Sequence, residues 1–118
     1  MWKIDTTSGW KNSYLDFETQ HPEETAHLLR NLAHYTAQLK ISKNHKALEA
    51  LYLQRRESGI VTIDQKGMED GLMDCRIYAF PDESNKTLYL LCVGKETEKD
   101  SDMEYCKNFL FYLANERA

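Results

Sequence analysis

A chain of 118 residues, 42% hydrophobic and 29% charged, has room for one packed core, and its composition excludes an intrinsically disordered protein. Fifteen Lys and Arg against 19 Asp and Glu give a net charge of −4, which excludes broad electrostatic attachment to nucleic-acid backbones and leaves only a local basic patch for such a role. No apolar run approaches the ~20 residues that span a bilayer, and "MWKIDTTSGW" has no signal-type apolar region, so neither membrane insertion nor export is expected.

In chain order, "WKIDT" (Trp2 to Thr6) opens with an aromatic and runs into Thr-Ser-Gly, as an N-terminal strand does. Tyr14 to Phe17 reads as a turn or short helix. Pro22 suits a first helical position, and Glu23 and Glu24 complement the positive end of a helix dipole. Thr25, Leu28, Leu29, Leu32, Tyr35, Thr36 and Leu39 then recur at helical spacing, so the pattern predicts a helix over 22–40. After "ISKNH", the stretch "KALEALYLQRRE" sets Ala47, Leu48, Leu51 and Tyr52 on one side before Ser58-Gly59, which predicts a second helix and a helical hairpin.

From Ile60 the period changes. "IVTID" is β-branched and alternating, "QKGMEDG" reads as a long turn, and "LMDCRIYAF" as a second strand. "PDESNK" is a turn by composition. "TLYLLCV" is apolar almost throughout, as a central strand covered on both faces should be. The closing "DSDMEYCKNFLFYLAN" reads as a helix over 102–115, with Ser101 and Glu104 at capping-box spacing and Met103, Cys106, Leu110 and Leu113 turned inward. The expected architecture is a single α+β domain over 1–118. Its antiparallel twisted sheet, an N-terminal strand plus a three-stranded meander, is packed with a helical hairpin and a C-terminal helix.

Cys75, Cys92 and Cys106 are odd in number and lack the spacing of a disulfide framework, so they read as reduced core thiols of a cytoplasmic protein. His21, His27, His34 and His45 show no i, i+4 pair and read as surface residues, with no metal site expected. Gly94-Lys95 lacks the Gly-rich loop that would cradle a nucleotide, and no Ser or Cys sits in a nucleophile motif. Lys40, Lys43, Lys46, Arg55 and Arg56 form a basic group that ordinary solvation explains and that also serves as a candidate partner surface.

One constellation bears chemistry. Attack of a ribose 2′-OH on its neighbouring phosphate needs a proton acceptor, cations for the developing charge and an acid for the leaving oxygen. Arg76 and Lys95 can supply charge, and Tyr105 a proton. The bland alternative reads them as a strand surface residue, a strand-end charge and a helix packing residue.

Over Gly59 to Tyr105, "GMEDGL" and "CRIYAFPDESNKTLYLLCVGK" resemble the RelE/ParE superfamily of bacterial type II toxins, in which an apolar-Arg pair opens one strand and Val-Gly-Lys closes the next. The resemblance implies the toxin of a toxin-antitoxin pair, a metal-independent, translation-dependent mRNA endonuclease without cofactor. It also implies that Arg76 contacts phosphate from an open, concave sheet face, Lys95 ends the last strand, and Tyr105 opens the terminal helix beyond a small insertion at Asp100 to Asp102. Lys66, Arg76 and Lys95 would touch RNA. The implied partners are a cognate antitoxin covering apolar surface such as Tyr52 or Phe80, and the mRNA and ribosome, with a homodimer as the competing assembly. Two departures weaken phosphate binding: Lys66 is the lone basic residue near the strand from Ile60, and Glu96 stands where the family's RNases commonly place Arg or Lys. A non-catalytic module of the same fold, a gyrase-directed toxin or an inactive relative, is therefore the alternative.

Overall fold

The computed structural model describes residues 2–65 and 72–117. It is an α+β structure with a five-stranded mixed sheet and three α-helices. Strand β1 (Lys3–Thr6) leads through Thr7 into helix α1 (Ser8–Gln20), and His21 alone separates α1 from helix α2 (Pro22–Ile41). A 3-10 turn (His45–Ala47) and extended chain then reach strand β2 (Leu53–Arg55). Strands β3 (Val61–Asp64), β4 (Cys75–Asp82) and β5 (Thr87–Lys95) form the meander, and a 3-10 turn (Glu96–Glu98) passes into helix α3 (Lys99–Arg117).

The sheet order is β1-β5-β4-β3-β2. Two features correct the expected sheet. Strand β1 pairs in parallel with β5, Lys3 opposite Thr87 and Thr6 opposite Leu90, so the sheet is mixed. Strand β2 adds an antiparallel edge, Leu53 opposite Ile63 and Arg55 opposite Val61, where a second hairpin helix was expected. The Arg55 guanidinium donates to the carbonyls of His45 and Leu48, at 3.1 and 2.7 Å, and so holds the chain there in a non-helical path. Tertiary pairing overrides the helix propensity of Ala-Leu-Glu-Ala-Leu, as it commonly does.

The helical hairpin is instead α1 with α2. Thr7 caps α1, its hydroxyl accepting the Trp10 N–H at 3.2 Å, and Trp10, Tyr14 and Phe17 line its inner side at helical spacing. Helix α2 starts with Pro22 and buries Thr25, Leu28, Asn31, Leu32, Tyr35 and Leu39. Asn31 Nδ2 donates to the Asp64 carbonyl at 2.8 Å, which fixes α2 on β3.

Side chains alternate along the strands, so one face collects Val61, Ile63, Cys75, Ile77, Ala79, Leu88, Leu90 and Val93 against α1 and α2. The other face buries Ile60, Tyr78, Leu91 and Cys92 against Cys106 of α3, with Met103, Phe109 and Leu110 alongside. A β-bulge makes this possible. Tyr78 pairs with Cys92 but Ala79 with Leu90, leaving Leu91 as the extra residue and letting Leu91 and Cys92 both turn toward α3. Cover on both faces explains why β5 is apolar almost throughout. Helix α3 begins at Lys99, so Ser101 lies within the first turn and its hydroxyl donates to the Glu98 carbonyl at 3.0 Å in place of the expected cap.

Candidate functional site

Arg76 lies on the α3 face of β4, opposite Asp64 of β3 and Gly94 of β5 in the strand registers. It is 5% exposed, which corrects the expectation of an arginine on an open sheet face. Its guanidinium is held between two carboxylates: Nε stands 4.0 Å from Asp64 Oδ1, and Nη2 is paired with Glu96. The same Glu96 carboxylate accepts Lys99 Nζ at 3.2 Å. Arg56 points its Nε at Thr62 Oγ1, at 2.9 Å. Arg56, Arg76 and Lys99, facing Asp64, Asp74 and Glu96, line with Gln54 a polar cleft of about 320 Å³. Among the described residues the formal charges cancel.

Under the start of α3 this polar cluster runs deeper. Asp102 packs on Gly94 so closely that a Cβ there would collide with its carboxylate, which is a close-approach reason for glycine at that position. Burial, reinforced by the Glu98 charge and opposed by Arg76, pushes the Asp102 carboxyl up to about 6. Burial pushes the Tyr78 hydroxyl up to about 12, again against the pull of Arg76. Arg76 Nε and Asp102 Oδ2 make no hydrogen bond among the described residues.

The other expected site residues do not join Arg76. Lys95 pairs with Cys75 in the register and so turns to the α1 face, where it borders a groove with Asp16, Phe17 and His21. Arg76 and Lys95 are therefore on opposite faces of the sheet. Tyr105 is committed elsewhere: its hydroxyl accepts the Gly9 N–H at 2.9 Å and donates to Thr7 Oγ1 at 3.0 Å, tying α3 to the start of α1. Lys66 lies outside the described residues, as does the expected turn from 65 to 71 apart from Gln65.

His45 is also not a surface residue. It is buried at the edge of Trp2, with Nε2 3.5 Å from the Glu83 carboxylate, and burial lowers its pKa against the opposing pull of Glu83. The three cysteines are free and buried, and Cys92 and Cys106 bring their sulfurs to 3.9 Å. Burial pushes the Cys75 thiol up to about 12, the range of an inert core thiol.

Sequence reasoning missed Asp64, Lys99 and Asp102 as members of the cleft and its floor. The alternation of "IVTID" carried part of the signal, since Thr62 and Asp64 share the face that Arg76 uses. No protein-family model, curated protein or solved structure matches this chain.

Proposed function

We propose that this chain acts by binding another protein through helix α3, as a non-catalytic interaction module of RelE/ParE-like fold, and does not cleave RNA at Arg76. The observation that carries this reading is the second half of α3. Five consecutive apolar residues, Phe109 to Leu113, ring the helix. Phe109 and Leu110 pack toward the sheet, whereas Phe111 is 71% and Tyr112 57% exposed. A helix of a soluble domain normally confines its apolar side chains to one stripe, and apolar surface beyond that stripe marks a partner site. Beside it, Phe80, Leu110, Phe111 and Leu113 line a groove of about 370 Å³.

The fold order supports the family part of the reading: a strand, a helical hairpin, a meander and a terminal helix. Phe80, one of two side chains expected under the partner, borders the groove. Tyr52, the other, is buried and bonded to His34 Nδ1 at 2.8 Å, so it offers nothing to a partner. The favoured occupant is the cognate antitoxin, encoded by the neighbouring reading frame, with a second copy of this chain as the competitor. Against endonuclease chemistry stand the balanced charge of the described residues that line the cleft, the carboxylates already on Arg76, and the separation of Arg76, Lys95 and Tyr105.

The test is co-expression with the neighbouring frame's product, followed by tagged purification of wild type and of Phe111→Asp. Capture by wild type and its loss in a variant that melts normally supports the reading. Equal capture by both overturns the α3 site, and a concentration-dependent dimer of the chain alone, abolished by Phe111→Asp, replaces the antitoxin with a second copy.

A further inference from the structure

We propose that Cys92 and Cys106 are a redox-modification site, where a peroxide closes a disulfide that locks helix α3 onto strand β5. The site lies under α3 and does not depend on what docks on that helix.

Of the three thiols, the sheet leaves two together. Cys75 lies in the core between the sheet and helices α1 and α2, whereas Cys92 and Cys106 share the core under α3, with their sulfurs 3.9 Å apart. The β-bulge that makes Leu91 an extra residue is what turns Cys92 to that side. A disulfide holds its sulfurs at about 2.05 Å, so they must close by roughly 2 Å. Helix α3 is the part that shifts, because it rests on the sheet through side chains. The bridge would join residues 14 apart in sequence, across the turn at Glu96–Glu98.

Exposure sets the order of events. Cys92 is 5% exposed and Cys106 is fully buried, so peroxide meets Cys92 first. The Cys92 thiolate attacks one peroxide oxygen: an S–O bond forms, the O–O bond breaks, and the leaving hydroxide takes up the thiol's proton as water. Cys106 then attacks the sulfenic sulfur, forming S–S and breaking S–O, and a second water leaves. Two thiols and one peroxide thus give one disulfide and two waters. In the closed structure the contact with Cys106, and then burial, push the Cys92 thiol up, so the thiolate forms when the start of α3 opens locally. Oxidation is therefore slow, and its product ties down the element whose opening allowed it.

The probe is hydrogen peroxide, added to the native full chain, with the remaining thiols then alkylated under denaturing conditions and the tryptic peptides weighed. The expected product joins peptides 87–95 and 100–107 with the loss of two hydrogens, while Cys75 is recovered alkylated. The bridged chain should melt at least about 4 °C above the reduced chain, and a phosphine reductant should reverse the rise. Cys106→Ala should show neither bridge nor rise; where that variant melts too low to compare, the wild-type peptide map and melts decide. Recovery of Cys92 and Cys106 as free thiols or as sulfinic acids overturns the proposal. A bridge to Cys75 or between two chains also overturns it, as does a Cys92–Cys106 bridge that leaves the melting temperature unchanged.

Discussion

Replacing Tyr105 by Phe separates a proton donor from a strut. In the structure the hydroxyl is shared between the Gly9 N–H, one of the amides at the start of α1 that no helical carbonyl can reach, and Thr7 Oγ1. Thr7 retains its own bonds, from the Trp10 N–H and to the Leu91 carbonyl at 2.7 Å. The Gly9 N–H does not retain its tyrosine partner, and the phenyl ring left in place hinders water from replacing it. A lost hydrogen bond costs about 1 kcal/mol net, and more where a part-buried donor is left without a partner, so the variant should lose about 1–2 kcal/mol. For a domain of this size that corresponds to a fall in Tm of roughly 4–8 °C. Thermal denaturation followed by circular dichroism reads it directly. Gly9→Ala should disturb the same joint more severely, because its Cβ would run into the Tyr105 ring. A Tm for Tyr105→Phe within about 1 °C of wild type would refute the strut and return the hydroxyl to the list of groups free for chemistry.

Three further outcomes follow from the cleft. Asp102 has a folded-state pKa near 6, raised from 3.8, so its contribution to stability is complete below about pH 4 and is lost as pH rises through 6. Asp102→Asn should therefore stabilise the protein by about 1 kcal/mol at pH 7.5, after discounting a half-exposed group for solvent screening, and by almost nothing at pH 4, as paired melts would show. Gly94→Ala should cost about 1–3 kcal/mol through collision with Asp102, and Asp102→Ala in the same chain should recover much of that loss in denaturant titrations. Arg76→Ala removes the guanidinium from between Asp64 and Glu96, and losing one side of a buried ion pair typically costs about 3–5 kcal/mol, so urea midpoints should fall steeply.

What was legible in the sequence was what local periodicity determines. Helix α2, helix α3 and the doubly covered strand β5 follow from the spacing of apolar residues, and each appears where that spacing places it. Helix α1 was read too short, because Ser8-Gly9 and the polar residues after Trp10 obscured the 10, 14, 17 stripe that Thr7 caps. The stretch from Lys46 to Glu57 was read as a helix because propensity favours one, while the Arg55 bonds and the pairing with β3 that decide otherwise are non-local. The site was read on one strand at a time. Strand parity, with the Cys75–Lys95 register, separates Arg76 from Lys95 across the sheet, but that register and the position of α3 over Arg76 are tertiary facts.

The central claim is that Arg76 is held by carboxylates as part of the fold and that the chain does not cleave RNA there. Mapping mRNA ends on translating ribosomes incubated with wild type and with Arg76→Lys, which keeps the charge but not the fork, tests it most directly. The expected result is intact mRNA with both proteins. Cleavage by wild type that disappears in an Arg76→Lys protein of unchanged Tm would contradict the claim and make Arg76 catalytic.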